Sequence, residues 1–134
     1  MIELHGWMHI YATYKCEDLL PQAEIDSIMR KVKDIASDSD NGIELRYVNG
    51  SAFVNTLHCS NHRTKEVDVI IQAYKSISEI ATGSYGILFI RDDEDGKYFN
   101  ELQVYVFKRG QCIQKKDTDF SPCIPELEDE IALS

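Results

Sequence analysis

The sequence predicts an α+β protein in which a mainly antiparallel sheet carries two amphipathic helices packed on it. Three observations indicate this fold class: apolar residues alternate in several short segments, recur every three or four positions in two longer ones, and are separated by turn residues. The predicted order is β-α-β-β-α-β-β. Because 134 residues is an ordinary length for one domain, we expect a single domain over residues 1–134.

Residues 2–14 form the first predicted strand. Its even positions are mostly apolar, as at Ile2 and Leu4, which is the period of a half-buried strand. The odd positions carry mainly polar, imidazole and aromatic side chains: Glu3, His5, Trp7, His9, Tyr11 and Thr13. This second face is either a packed layer or an exposed recognition surface, and partial cover of both faces is the favoured interpretation.

The first helix is predicted from the region of Pro21 to near Asp38. Proline suits the first turn of a helix, where its missing N–H leaves no hydrogen bond unmade. Apolar residues then recur at helical spacing: Ile25, Ile28, Met29, Val32, Ile35 and Ala36. The polar stretch over residues 37–42 ends this helix.

A hairpin and a second helix follow. Residues 43–48 alternate again, residues 51–59 form the returning strand, and Asn49-Gly50 between them is typical of a type I′ turn. Residues 58–62 have the composition of a loop. Thr64 is the predicted N-cap of the second amphipathic helix, and Gly83 closes that helix.

Two further strands are predicted in the C-terminal half. Residues 85–90 are almost all apolar, which predicts a central strand buried on both faces. A charged turn at residues 92–97 leads to a strand at 102–107, and residues 108–111 turn the chain again. The acidic segment 117–134 carries six acids and no Lys or Arg, and its interleaved apolar residues predict that it packs on the domain.

Composition restricts the class of partner. The chain has 23 acidic and 14 basic residues, a formal charge of −9 and a pI near 4.8, so direct binding of nucleic acid is not expected. We expect neither a secretory leader nor a membrane-spanning segment, and therefore a cytoplasmic protein. The four cysteines lie far apart in sequence and are expected to be free thiols.

Metal and acid–base chemistry has few candidates in this sequence. His5 and His9 would lie roughly 13 Å apart along a strand, which is too far to share one ion. His58, Cys59 and His62 are suitable ligand types, but no second Cys/His cluster completes a zinc site, so we expect neither a metal nor a cofactor. A small metal-dependent hydrolase or ligand-binding domain, using these residues or the carboxylates at 92–95, is the alternative function.

Four segments resemble a known family. They are the opening Glu3-Leu4-His5-Gly6-Trp7, residues 85–95, residues 103–110, and Asp119-Phe120-Ser121-Pro122-Cys123-Ile124-Pro125 with Glu128-Asp129. Over nearly the whole chain, this pattern resembles the Immunity protein 7 family of bacterial polymorphic toxin systems. The Ser-Pro-Cys-Ile-Pro motif followed by acids is the most specific part of the resemblance.

The resemblance implies a small α+β protein that is not an enzyme and that protects the producing cell by binding the C-terminal domain of a cognate toxin. The acidic charge adds the expectation that this toxin domain is basic, with a nuclease as the favoured activity. Charged and aromatic residues are the candidates for toxin binding: Trp7, Asp92, Asp93, Glu94, Asp95, Tyr98, Phe99, Asp117, Asp119, Glu126, Glu128 and Asp129.

Overall fold

The computed structural model describes residues 1–37, 42–94, 101–117 and 121. A six-stranded antiparallel sheet with the strand order β2-β3-β1-β4-β5-β6 carries two helices. The elements are β1 (Ile2–Ile10), a 3₁₀ turn (Glu17–Leu19), α1 (Gln22–Ser37), β2 (Ile43–Val48), β3 (Ser51–Ser60), α2 (Lys65–Ile80), β4 (Tyr85–Asp92), β5 (Leu102–Lys108) and β6 (Gln111–Asp117). None of the helices in the described ranges is long and apolar enough to cross a membrane.

The predicted α+β fold class is confirmed, and both helices pack on one face of the sheet. The core contains the even-numbered side chains of β1 together with apolar residues of α2 and of the neighbouring strands: Ile2, Leu4, Met8, Ile10, Val54, Val67, Ile70, Tyr74, Ile77, Leu88, Ile90 and Phe107. From α1, Val32 reaches this core and is fully buried. The central position predicted for residues 85–90 is also confirmed, since β4 lies between β1 and β5. The predicted burial of both faces is wrong, because the odd-numbered side chains of β4 are only half-buried and Tyr85 is exposed.

A buried polar contact lies at the centre of the core. The Tyr74 hydroxyl, on α2, donates a hydrogen bond of 2.8 Å to Thr56 Oγ1 on β3. Burial raises the pKa of the Tyr74 hydroxyl to about 12, although the bond to Thr56 opposes this shift. The bond therefore holds α2 to the sheet through a neutral phenol.

The first strand is shorter than the sequence predicts. β1 ends at Ile10 rather than continuing to residue 14, because its two neighbours begin there: Ala52 pairs with Ile10 and Tyr85 pairs with His9. Tyr11 instead bonds the segment that precedes β4, donating its N–H to Ser84 Oγ at 3.1 Å. The alternating sequence pattern continues to Tyr14, but β3 and β4 offer backbone partners only as far as Ile10.

A sixth strand, β6, was not predicted. It follows a tight turn in which Arg109 and Gly110 both have positive φ, at 51° and 75°. Its sequence, Gln111-Cys112-Ile113-Gln114-Lys115-Lys116-Asp117, is largely polar and has no alternating pattern. Backbone pairing with β5 forms this strand, and its lysines are typical of an edge strand that discourages pairing with other chains.

Candidate functional site

The face of the sheet opposite the helices is the main candidate surface, and we call it the open face. It contains the odd-numbered side chains of β1 and the residues that pair with them on β3 and β4. Large apolar groups are exposed there, notably Leu57, Tyr85 and Trp7 at 70%, 46% and 38%. The odd positions of β1 are thus partly covered, with Glu3 and His9 half-buried and His5 and Trp7 exposed, because both described helices pack on the other side.

Five rings gather on the open face and form what we call the aromatic cluster: Trp7, His9, Tyr11, Phe53 and Tyr85. The register explains it, because His9 pairs with Phe53 on one side and with Tyr85 on the other. The His9 ring stacks on Phe53 with centroids 4.3 Å apart, and its Nδ1 lies 3.1 Å from the Tyr85 hydroxyl. Trp7 meets Tyr85 edge-on at 6.0 Å.

The His5-Gly6-Trp7 segment divides into fold and surface roles. Gly6 points into the core, where an added Cβ would lie 2.6 Å from Leu88 Cδ1 and 2.9 Å from the Tyr74 hydroxyl oxygen. Packing therefore favours glycine at this position, because a larger residue would force the Leu88 and Tyr74 side chains to shift. His5 and Trp7 point to the open face, where the core places no comparable demand on them.

A depression of about 520 Å³ adjoins the aromatic cluster on the open face, and Trp7 belongs to both. We call it the open-face depression; its side chains include His5, Trp7, Glu44, Asn55, Leu57 and Phe89. Apolar surface from Trp7 and Leu57 meets the polar groups of Asn55 and Glu44. The depression can therefore take a side chain that has both an apolar and a polar part.

The described residues of the two acidic segments, Asp92, Asp93, Glu94 and Asp117, lie at one end of the sheet. Asp92 ends β4 and pairs with Ile2, while Asp117 ends β6 and pairs with Leu102. Antiparallel pairing of β4, β5 and β6 brings these ends together, roughly 10 Å apart at two strand spacings. We call this region the acidic end, comprising Asp92, Asp93, Glu94, Glu101 and Asp117.

Several acids at this end have partners within the chain. The N-terminal ammonium of Met1 lies 2.6 Å from Asp93 Oδ1, and this hydrogen bond lowers the pKa of Asp93 and raises that of the amino group. Glu94 Oε1 lies 2.6 Å from His62 Nδ1, and Lys116 pairs with Glu101 at 2.8 Å. These contacts fix the position of carboxylates that stay partly exposed to solvent.

Ser121, the first residue of the Ser-Pro-Cys-Ile-Pro motif, has a clear structural role. It is only 6% exposed, its Oγ accepts the Leu102 N–H at 2.9 Å, and its hydroxyl donates to the Asp117 carbonyl. Ser121 therefore fastens the chain to the acidic end, where β5 begins and β6 ends.

Among the predicted toxin-binding residues, the structure separates Trp7 from the acids. Trp7 lies in the middle of β1, about 17 Å from the acidic end by strand rise. Asp92, Asp93, Glu94 and Asp117 share the acidic end. The remaining candidates lie outside the described residues: Asp95, Tyr98, Phe99, Asp119, Glu126, Glu128 and Asp129.

The geometry does not support the metal site considered from sequence. β3 extends to Ser60, so His58 and Cys59 are consecutive strand residues and point to opposite faces. His62 contacts Glu94 instead. Over residues 1–37, 42–94 and 101–117, no three side chains of His, Cys, Asp or Glu come together as metal ligands.

Sequence reasoning did not single out His9, Tyr11, Phe53 and Tyr85 as site residues. The signal available was the aromatic odd face of β1 together with the hairpin at Asn49-Gly50. That turn fixes the register of β2 and β3, but the pairing of β1 with β3 and β4 is long-range and cannot be read from local pattern.

Comparison with known proteins identifies a family. The model of Immunity protein 7 matches residues 1–129, which is nearly all of the chain. No match was found among curated proteins or among solved structures. The chain therefore belongs to the Immunity protein 7 family and is an immunity protein directed against a toxin.

Proposed function

We propose that this immunity protein neutralises its cognate toxin by forming a stoichiometric complex with the toxin's C-terminal domain in the cytoplasm. The observation that carries the proposal is the placement of the acidic end beside an open sheet face with exposed aromatic side chains. Neither turnover nor a cofactor is needed for protection of this kind.

Charge indicates the kind of toxin. A formal charge of −9 attracts a basic partner and can raise its association rate by about ten- to a thousandfold. Nuclease active sites are basic because they hold phosphate. A nuclease domain is therefore the favoured target, and the acidic end is the region that we expect to meet its basic surface first.

Long residence of the complex needs more than charge. Exposed charges are screened by salt, whereas buried aromatic anchors slow dissociation. Trp7 and Tyr85 are the best anchors among the described residues, because both are large, partly exposed and held in position by ring contacts. We assign steering to Asp92, Asp93, Glu94 and Asp117, and anchoring to the open face.

Co-expression tests the proposal directly. The toxin domain encoded by the adjacent upstream reading frame is expressed with and without this protein, and survival is measured. We expect survival only when both are made, together with a complex of fixed stoichiometry in size-exclusion chromatography with light scattering. Continued killing in cells that contain the folded immunity protein, with no complex on purification, would refute the proposal.

A further inference from the structure

The open-face depression suggests what kind of toxin side chain the protein recognises. Trp7 pairs with Asn55 on β3, and Asn55 pairs in turn with Glu44 on β2, so these three residues form one row across the sheet. Leu57 and Phe89 lie in the neighbouring row, one on each side of His5, and extend the apolar lining. A carboxylate and an indole ring thus lie about two strand spacings apart, roughly 10 Å, with an amide between them.

Arginine is the side chain that matches this row best. Its apolar stem can pack on Leu57, and its planar guanidinium can stack on an indole while donating paired hydrogen bonds to a carboxylate. The lysine ammonium is more strongly hydrated and lacks the planar, two-pronged geometry of a guanidinium. An apolar side chain would form no hydrogen bonds with Glu44 or Asn55. The overall charge of −9 also favours a cationic occupant.

Existing charges on the open face leave Glu44 accessible. Its Oε1 lies 3.8 Å from Arg46 Nε, but the two side chains are 69% and 60% exposed, so this long contact is a weak competitor. The Glu3–Arg91 pair, at 4.0 Å, lies farther along β1 from the depression, toward the acidic end.

We propose that the open-face depression receives an arginine side chain of the toxin domain, which stacks on Trp7 and bonds Glu44. This inference rests on the proposed function and adds the chemistry of one contact to it. It places an energetic anchor at Trp7, away from the acids that steer the encounter.

Affinity measurements with a catalytically inactive toxin domain test this contact. We expect Glu44→Gln to weaken binding about tenfold and Trp7→Ala to weaken it at least tenfold, mainly through faster dissociation. Trp7→Phe, which keeps a ring, should lose less. Val69→Ala, an exposed position on α2, is the matched control and should stay within about twofold, as surface changes usually do.

A double-mutant cycle identifies the partner residue. Each arginine of the toxin domain is replaced by Gln and measured against wild-type protein and Glu44→Gln. We expect one arginine whose loss is coupled to Glu44. Circular dichroism confirms that each variant is folded before its affinity is interpreted.

The outcomes separate the two proposals. If the wild-type protein binds and protects, but Trp7→Ala and Glu44→Gln both bind within twofold of it, the arginine contact is refuted and neutralisation by complex formation stands. If the wild-type protein neither binds nor protects, both are refuted. A free protein that dimerises and becomes monomeric on Trp7→Ala would show that a second copy occupies the depression, which also overturns the arginine contact.

A probe without the toxin gives an independent measurement. Nα-acetyl-arginine amide at millimolar concentration should shift the Trp7 indole N–H signal in NMR spectra of the full chain. The citrulline analogue, which has nearly the same shape without the charge, should shift it less. Equal shifts with both probes would show that the guanidinium charge is not recognised.

Discussion

Gly6 and Trp7 are neighbours in sequence but point to opposite faces of the sheet, Gly6 into the core and Trp7 to the open face. Within one short motif, the strand period of two thus assigns glycine to packing and tryptophan to the surface. Replacing Gly6 should therefore change the free energy of unfolding, whereas replacing Trp7 should change the affinity for the toxin domain.

Gly6→Ala should reduce the free energy of unfolding by about 1–3 kcal/mol, because the added methyl overpacks the core against Leu88 and the Tyr74 ring. Urea denaturation measures this change. His5→Ala, on the same strand but facing outward, should change stability by no more than about 0.5 kcal/mol. Equal effects of the two substitutions would contradict the assigned facing.

Tyr74→Phe should cost about 1–3 kcal/mol of stability, since it leaves the buried Thr56 hydroxyl without its donor. Thr56→Val should also destabilise, because the phenol then loses its acceptor. The double variant should be less destabilised than the sum of the two single ones, as both partners are then absent. If the two losses of stability were additive, they would not come from the hydrogen bond between these residues.

The Asp93 carboxyl should titrate below its ordinary pKa of 3.8, and the Met1 amino group above 8.0. Because its pKa is lowered in the folded state, Asp93 stabilises the fold at higher pH, and this stabilisation is lost as pH falls through the folded pKa. Because its pKa is raised in the folded state, the amino group stabilises the fold below pH 8.0, and this stabilisation is lost as pH rises through the folded pKa. After Nα-acetylation, NMR titration should show the pKa of Asp93 closer to its ordinary value, with Arg91 still lowering it. An unchanged pKa would exclude the amino group as the main cause.

Ser121→Ala should loosen the acidic end, because it leaves the Leu102 N–H and the Asp117 carbonyl without their partner. We expect a loss of about 1–2 kcal/mol of stability and faster hydrogen exchange at the Leu102 amide. The β1 amides, further from this contact, serve as the internal control. Unchanged exchange at Leu102 would contradict the fastening role of Ser121.

Asp92→Asn combined with Asp117→Asn should slow association with the toxin domain severalfold and flatten its dependence on salt, while dissociation changes little. Stopped-flow mixing at several ionic strengths measures both rates. Glu24→Gln with Asp26→Asn, on α1, removes the same charge far from the acidic end and should have a smaller effect. Identical effects of the two pairs would assign steering to net charge alone.

Local pattern was sufficient to predict both helices and five of the strands. Thr64 is the N-cap of α2 as predicted, and Asn49 and Gly50 adopt the positive φ of their turn, at 52° and 79°. β6 carries no local signal, since backbone pairing with β5 forms it and its side chains are mostly polar. A polar edge strand can be recognised only once its partner is known.

The candidate site was predictable only in part. The sequence marked Trp7 and the acids, since tryptophan and acidic runs stand out in composition. It could not place Asp92 beside Asp117, because that proximity follows from two successive antiparallel pairings. The rings around His9 likewise come together through three strands that are distant in sequence.

The alternation of β1 has a consequence for how such proteins diversify. Side chains on the uncovered side of the sheet can be exchanged one at a time while the buried set, and with it the folded state, stays the same. On the proposed role of the open face, single substitutions there can therefore change which toxin is bound without loss of folding.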